Sequence, residues 1–405
     1  MKRGLNSTEM LKRNRILVFK TLIEKGSATR AELASELGLQ KATITNIINE
    51  FVQMEILTGD GDIPSGKRGE KLSLRIEGRF LISMGITRVG YDIAVYTLDG
   101  RLQEWNRYRF GDREAFSDAV KKMTGDVSEI QEKYGSDTIL GACLAVPGLY
   151  IRDDETGKET YMISEFPQWN DVDIRRELED ALNRKIVIMH DAKLSAYAEW
   201  QKAEEVKENS NVSIVAVRSR GFGIGCGMVI NGKIVQGQLG IAGEVGHMGI
   251  NFNTRDPEDG SFEANAGTDS AVKYMCERLI EFPDSPLTEN SSYDDILVQY
   301  DNRDPLAVWV IEKLARMLAY GLSSMVYLIN PDCIIIGSDY PKDHDFIEMV
   351  RKNMSKYVPD IVLKNLVLRN TKLREDSFII GGYYHLMDKL YENDQLLEEV
   401  SREYF

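Results

Sequence analysis

The 405-residue chain contains only four cysteines, and no two of them form a CxxC pair. Cysteines scattered in this way do not build a disulfide framework or a four-thiolate metal site. Each one lies within or beside an apolar or glycine-rich run, so we expect buried free thiols in a reducing compartment. The four are Cys143, Cys226, Cys276 and Cys333.

The chain also lacks the run of about 18 apolar residues that a membrane-spanning helix requires. Its first residues, MKRGLNSTEMLKRNR, contain no apolar core of a signal peptide. We find no internal repeat and no low-complexity segment. We therefore expect a soluble, cytoplasmic protein with no membrane partner, long enough for two or three domains.

Positive charge is scarce, because the formal net charge is −14. The imbalance is uneven: residues 1–80 hold 14 Lys and Arg against 10 Asp and Glu, a net of +4. The remainder holds 36 against 54, a net of −18. Only the N-terminal part is therefore expected to approach a polyanion such as DNA.

Three helix patterns open the chain. Residues 9–25 have one apolar face that Gly26 ends, and Thr29 with Glu32 has the spacing of a capping box before RAELASEL. A third helix starts at Gln40 after a glycine turn, which is typical of a helix-turn-helix. Its exposed positions carry short or amide side chains suited to base edges and phosphates: Gln40, Lys41, Thr43, Thr45, Asn46 and Asn49.

The segment after the third helix, TGDGDIPSGKRGEKLSLRI, predicts a β-hairpin with a basic tip. Lys67 and Arg68 at that tip can reach a sugar-phosphate backbone or the minor groove. Residues 1–78 are therefore predicted to be a winged helix-turn-helix DNA-binding domain. The alternative is an ordinary three-helix module for protein contacts.

Glycine is concentrated in residues 219–250, SRGFGIGCGMVINGKIVQGQLGIAGEVGHMGI. The first glycines, from Gly221 to Gly227, follow a strand-like run and predict a turn whose backbone N–H groups face a ligand oxygen. Further on, Glu244 and His247 lie three residues apart between glycines. Glycine-rich turns are common between strands, but the added carboxylate and imidazole favour a small-ligand site.

The ordered pattern GxGIGxGxxxNGxxxxGxxGxAGExGHM resembles the signature of the ROK family (repressors, open reading frames and sugar kinases). With its N-terminal head, the chain resembles ROK repressors of the xylose-operon and N-acetylglucosamine-operon type over nearly its whole length. The resemblance implies an α/β protein: a winged helix-turn-helix followed by a two-lobed fold of the actin-like, hexokinase-type ATPases. The implied domains are residues 1–78, a first lobe at 79–192 with a C-terminal helix at 386–405, and a second lobe at 193–385.

Two positions depart from the pattern of ROK kinases. Met84 lies at or next to the position of the aspartate that positions the metal-bound phosphates, and Phe222 stands where kinases carry threonine. A thioether cannot hold hydrated Mg²⁺, which prefers hard oxygen ligands. The comparison with the family therefore implies no kinase activity and no cofactor. In the head, Glu70 replaces a proline that ends the wing in the family's repressors.

The resemblance also implies a sugar site. Asp191 has an alternative role as a cap of the following helix, and His247 as a satisfied histidine in a turn. Several carboxylates in one cleft would repel an anion, so a neutral sugar is predicted. The positions that match or replace the family's sugar contacts are Glu165, His190, Asp191, Glu244, His247 and Glu263.

The family's structural zinc site has no matching ligands in this sequence. After His247 the family usually presents three cysteines, and the corresponding positions carry Thr254, Asp256 and Ser261. Tetrahedral zinc sites are built from thiolate and imidazole ligands. No bound metal is therefore predicted, which would leave both nitrogens of His247 able to donate or accept.

We predict a sugar-responsive transcriptional regulator, a repressor of carbohydrate-utilisation genes without kinase activity. Its partners would be operator DNA, a neutral sugar effector and a second copy of the chain, in a homodimer or higher homo-oligomer. One rival is a carbohydrate kinase with an accessory DNA-binding head, which ATP turnover with candidate sugars would reveal. The other is a repressor controlled by a protein partner, which a thermal-shift screen of sugars would separate.

Overall fold

A computed structural model describes most of the chain, and it divides into two compact units. Unit 1 comprises Met1–Leu144, Asp171–Ile188 and Gly382–Phe405, and unit 2 comprises Ala145–Asn170 and Met189–Gly381. The described residues are 7–59, 69–111, 114–153, 156–162, 171–208, 211–220, 223–254, 258–374, 376–392 and 396–401.

Three helices and a small antiparallel sheet form the N-terminal module of unit 1. They are α1 (Ser7–Lys25), β1 (Ala28–Thr29), α2 (Arg30–Leu37), α3 (Lys41–Gln53), β2 (Leu57–Thr58) and β3 (Lys71–Leu74). β3 is the middle strand, with β1 and β2 antiparallel on its two sides. The helices bury a common apolar core in which Phe19 of α1 meets Phe51 of α3 edge to face, with ring centroids 6.5 Å apart.

The local signals in this module are confirmed. The Thr29 hydroxyl accepts from the backbone N–H of Glu32 at 3.2 Å, and the Glu32 carboxylate accepts from the Thr29 N–H at 2.7 Å. Gly38 ends α2 with φ of 63°, a left-handed conformation that glycine adopts without a steric penalty. The hairpin exists as the β2–β3 pair, but Lys67 and Arg68 of its tip lie outside the described residues.

A five-stranded sheet with flanking helices follows, mostly in unit 1, and a hairpin of unit 2 comes between its last two strands in chain order. The elements are β4 (Phe80–Thr87), β5 (Gly90–Thr97), β6 (Leu102–Arg109), α4 (Phe116–Tyr134), β7 (Ile139–Val146), β8 (Leu149–Arg152), β9 (Glu159–Met162), α5 (Ile174–Leu182) and β10 (Ile186–His190). The strand order is β10-β7-β4-β5-β6, and β8 with β9 forms a separate hairpin in unit 2. Every residue of β5 is buried, including the polar Asp92 and Thr97.

Unit 2 is built on a second five-stranded sheet in the order β13-β12-β11-β14-β15. Its core surrounds α11, whose buried face runs from Leu306 to Val326. The elements are α6 (Asp191–Lys202), α7 (Glu204–Glu208), β11 (Ile214–Arg220), β12 (Gly223–Ile230), β13 (Lys233–Ile234), α8 (Phe262–Ala266), α9 (Thr268–Arg278), α10 (Tyr293–Asp301), α11 (Pro305–Ile329), β14 (Cys333–Ile336), α12 (His344–Met354), α13 (Asp360–Asn365) and β15 (Val367–Asn370). The chain then ends with α14 (Ser377–Glu392) and α15 (Leu396–Ser401).

The prediction that the first glycine run is a turn is wrong for most of its length. Gly223, Gly225 and Gly227 lie within β12, antiparallel to β11. A Cβ added at Gly227 would lie 2.4 Å from both the Ala192 carbonyl oxygen and the Ala196 Cβ of α6. These glycines therefore let a helix approach the strand closely, rather than exposing backbone N–H groups in a loop.

The prediction of buried thiols is confirmed for three cysteines and wrong for the fourth. Burial raises the pKa of the Cys143, Cys226 and Cys333 thiols to about 12, which keeps them protonated and unreactive. Cys276 is exposed on α9, because its position faces away from the core that Met275 enters. Among the described helices, none has the length and apolar character needed to cross a membrane.

Candidate ligand site and nucleic-acid interface

The outer face of α3 presents the polar side chains expected of a recognition helix. Ile44, Ile47, Ile48 and Phe51 point into the core of the module. Thr43 is half-buried, and the remaining predicted positions are exposed: Gln40, Lys41, Thr45, Asn46 and Asn49. The amphipathic period of the helix thus separates the core from a surface of amides, one hydroxyl and one ammonium.

Ion pairs hold the elements of this module together. Glu70, at the base of the hairpin, has a side chain only 4% exposed and lies 3.4 Å from Arg30 of α2. Arg15 of α1 donates to Glu50 of α3 at 2.7 Å. Glu70 therefore connects the base of the β2–β3 hairpin to α2 by a charge contact.

The turn between β4 and β5, residues 87–90, carries no carboxylate. Met84 is fully buried in β4. Asp92, the first carboxylate after it, accepts hydrogen bonds from the Trp105 indole at 3.0 Å and the Arg107 guanidinium at 2.6 Å. This carboxylate is hydrogen-bonded to two side chains of β6 and does not substitute for the aspartate that ROK kinases have at or next to the position of Met84. Phe222, at the second phosphate position, lies outside the described residues.

His190 and Asp191 lie where β10 passes into α6. His190 is the N-cap residue, without a side-chain capping bond, and Asp191 is the first helical residue. The idea that Asp191 caps α6 is therefore wrong, although its charge still lies favourably in the first helical turn. His190 Nε2 lies 3.5 Å from Asp191 Oδ1. His190 is 6% exposed, and its buried Nδ1 has no hydrogen-bond partner among the described residues.

Glu244, His247 and Glu263 belong to a second group. A short 3-10 turn at Val245–His247 follows Glu244, and Glu263 is the second residue of α8. The Glu263 Oε1 lies 3.4 Å from His247 Nδ1, and its Oε2 accepts from the Ile224 N–H at 3.4 Å. The His247 side chain is 68% exposed, so its outer nitrogen is accessible for a ligand.

The strand β12 supports both groups of residues. Gly225 and Gly227 receive the first turn of α6, which begins with Asp191. The backbone just before Glu244 is also in close contact with the strand, because a Cβ at Gly243 would lie 2.6 Å from the Cys226 carbonyl oxygen. Residues 224–227 therefore set the positions of the carboxylates, and the glycines make this possible.

Lys193 is a functional candidate that the sequence reasoning missed. It is fully buried on α6, and its ammonium donates to the Gly240 carbonyl oxygen in the loop before Glu244. Desolvation lowers the pKa of Lys193, and the nearby Glu244 carboxylate partly opposes that shift. A lysine among AKLSAYA, two residues after Asp191, was the available signal. It brings a positive charge to a site otherwise described by its carboxylates.

The loop after His247 does not present a zinc ligand set. Thr254 and Ser261 carry neutral hydroxyls, and the Ser261 Oγ already accepts from the Ala264 N–H at 3.2 Å as the cap of α8. In the described part of the chain, no group of three or more His, Cys, Asp or Glu side chains is arranged to hold a metal. Thiolates are the usual partners of a single histidine at structural zinc, so these residues do not fit the ion. Asp256 and the predicted sugar contact Glu165 lie outside the described residues.

Comparison with known proteins defines the class. Residues 82–389 match the model of the ROK family, so the chain belongs to that family and has its actin-like, hexokinase-type α/β fold. A putative xylose repressor from Caldicellulosiruptor sp. is 24% identical over 386 residues, covering 91% of this chain and 94% of the relative.

Two solved structures share the fold. A ROK family transcriptional regulator, described as a homologue of the E. coli MLC protein, superposes with a TM-score of 0.78 at 22% identity over 97% of this chain and 99% of that one. A putative sugar kinase from Cytophaga hutchinsonii superposes with a TM-score of 0.60 at 21% identity. It covers 76% of this chain and 99% of its own, so roughly a quarter of this chain has no counterpart in the kinase structure.

Proposed function

We propose that this ROK protein is a sugar-responsive transcriptional repressor whose residues 1–78 are a winged helix-turn-helix. The observation that carries the proposal is the combination of α3 with the β2–β3 hairpin. The helix exposes Gln40, Lys41, Asn46 and Asn49 on one face, and the hairpin base is tied to α2 by Glu70. A helix with amide and basic side chains fits the major groove, where such groups read base edges.

The relatives support a regulator in preference to an enzyme. The match to the putative xylose repressor extends over 91% of this chain, whereas the kinase structure matches 76%. The position of the kinase aspartate holds buried Met84, and the next carboxylate, Asp92, already accepts a hydrogen bond from Arg107. We therefore propose that the chain performs no phosphoryl transfer and needs no nucleotide cofactor.

The effector we propose is a neutral sugar. Asp191, Glu244 and Glu263 offer acceptors for hydroxyl groups, and His247 offers an exposed nitrogen. The buried Nδ1 of His190 lacks a partner among the described residues, and a buried polar atom of this kind is satisfied when a ligand hydroxyl reaches it. Lys193 offsets one of the carboxylates, and the remaining negative charge still disfavours a sugar phosphate. Glu165 stays a proposed contact.

We further propose that the repressor acts as a homodimer or higher homo-oligomer on a two-fold operator. One winged helix contacts too few base pairs for a specific genomic site, and a symmetric pair of modules doubles the contacts.

A selection from a random duplex library tests the proposal, with the full chain at moderate salt as bait. We expect one sequence family to be enriched and its binding to weaken steeply with salt. In a separate assay, ATP hydrolysis in the presence of candidate sugars should be no faster than in buffer alone. The proposal is contradicted if no sequence is enriched above background. It is also contradicted if the protein phosphorylates a sugar at about 1 per second or more, a rate that is ordinary for enzymes.

A further inference from the structure

Two described segments, residues 248–254 and 258–261, are joined to each other without the thiolate ligands described above, and together they are called the 248–261 loop. The Gly260 carbonyl oxygen accepts from the backbone N–H groups of Ile250 at 2.9 Å and Asn251 at 3.0 Å. The Phe262 N–H donates to the Met248 carbonyl oxygen at 2.7 Å. A Cβ at Gly260 would lie 2.3 Å from the Asn251 carbonyl oxygen, so only glycine permits this approach. The two ends of the loop are thus joined by backbone bonds.

A single buried amide, Asn265 of α8, contacts both arms of this loop. Its Nδ2 donates to the carbonyl oxygens of Asp259 and Ser261, both at 2.8 Å, so both amide protons are used. Its Oδ1 accepts from the Asn251 side-chain amide at 3.4 Å. The Asn265 backbone oxygen in turn accepts from the Tyr274 hydroxyl at 2.8 Å, which anchors the residue to α9.

The closed loop fixes two residues of the candidate sugar site. His247 immediately precedes it and Glu263 immediately follows Phe262, which is fully buried. With the ends joined, the imidazole and the carboxylate lie 3.4 Å apart, and Glu263 contacts Gly246 so closely that a Cβ there would lie 2.4 Å from its Oε2.

We propose that Asn265 is a positioning residue that holds the 248–261 loop closed without a metal ion, and thereby sets His247 and Glu263 for the ligand. A primary amide suits this task because it supplies two donors and one acceptor in a rigid plane, matching two carbonyls and one amide. The ligand role of His247 and Glu263 rests on the proposed function, whereas the metal-free closure does not.

Hydrogen exchange of the full-length protein tests the closure directly. Asn265→Asp keeps the size of the side chain but places an oxygen against the two carbonyls that Nδ2 contacted. We expect the amides of Ile250 and Asn251 to exchange at least about tenfold faster, the factor that corresponds to losing about one hydrogen bond. Amides of β11 should keep their wild-type rates, which shows that the variant is folded.

Asn253→Asp is the matched control, because it adds the same charge at an exposed position of the same loop. It should leave exchange at Ile250 and Asn251 unchanged, and so should a chelator added to the wild type. Unchanged exchange in Asn265→Asp, or loss of protection in chelator-treated wild type, overturns the proposal. These arms require no sugar, so they remain decisive even if the proposed function fails.

A second readout tests the positioning role once a binding sugar is known. Asn265→Asp should weaken sugar binding by about tenfold or more, while the salt-dependent affinity for duplex DNA stays as in the wild type. If the exchange result is as expected and sugar affinity does not change, the loop is closed by Asn265 but does not position the ligand contacts, and that part of the proposal is wrong.

Discussion

With His385 replaced by methionine, the protein should lose much less folding stability than the wild type as the pH falls from 6.5 to about 4. His385 lies on α14 and is 7% exposed. Its burial, with Lys389 nearby, lowers the pKa from 6.5 to about 4, and Glu392 opposes the shift. Below pH 6.5 the unfolded chain takes up a proton that the folded chain refuses, so stability falls with pH through this window.

The size of the effect follows from the shift. One pKa unit corresponds to about 1.4 kcal/mol, so His385 should account for a loss on the order of 3 kcal/mol between the two pKa values. Carboxylates elsewhere also respond to acid, and the wild-type-minus-variant difference removes their contribution. Methionine suits the site because it is apolar and favours helices.

Urea denaturation of the wild type and His385→Met at several pH values from 7 to 4 measures the difference. Met387→Leu, at a buried position of the same helix, is the control and should change stability equally at every pH. If wild type and His385→Met lose stability in parallel, His385 accepts its proton in the folded state and the burial argument fails.

Three further perturbations have defined outcomes. Gly227→Ala should lower the free energy of unfolding by about 1–3 kcal/mol in thermal or urea melts, because it forces a side chain into α6. Gly125→Ala on α4, where an added Cβ would meet nothing within 4 Å, should not lower it. Equal stabilities of the two variants would contradict the close packing at Gly227. Lys41→Ala should lower the slope of log affinity for duplex DNA against log salt concentration by about one unit, because one phosphate contact is lost. Lys121→Ala on α4 should leave the slope unchanged. If the Lys41→Ala slope equals that of the wild type, Lys41 does not contact the DNA. Burial lowers the pKa of Lys193 below 10.5, so its desolvation cost, present at neutral pH, decreases as pH rises toward 10.5. The wild type should therefore gain stability relative to Lys193→Met over that range in urea melts, and a constant difference would show that the ammonium is not desolvated.

The elements that the sequence predicted well are those whose signals are local. The capping box at Thr29 and Glu32 involves residues three apart, and the β2–β3 hairpin joins neighbouring segments. The long helix α11, Pro305–Ile329, carries an apolar period that extends over many turns and is visible in the sequence alone. In each case the pattern and the structure depend on contacts within one stretch of chain.

The errors arose where a distant segment decides the outcome. Glycines in a run are equally compatible with a turn and with a strand. At Gly227 the close contact with Ala192 and Ala196 of α6 favours the strand. Lys193 was overlooked because a lysine is ordinarily exposed, and only the approach of Gly240 and Glu244 makes it part of the site.

The candidate ligand site was accessible to sequence reasoning mainly through the family resemblance. Spacing suggested that Glu244 and His247 belong together, but the 3.4 Å contact between His247 and Glu263 depends on how the 248–261 loop closes. That closure depends in turn on Asn265, whose partners Asn251 and Asp259 are brought near by tertiary structure. Roles assigned to these side chains in ligand binding stay predictions.

The most direct test of the account is the fluorescence anisotropy of a selected, labelled duplex bound to the full-length protein, titrated with neutral mono- and disaccharides at constant salt. The account predicts that at least one neutral sugar lowers the affinity for the duplex by about tenfold or more, and that the same sugar carrying a phosphate does so far less effectively. It also predicts that Glu244→Ala requires a much higher sugar concentration for the same release. If no sugar changes the anisotropy, or if the phosphorylated sugar is the stronger effector, the claim of a repressor controlled by a neutral sugar is contradicted.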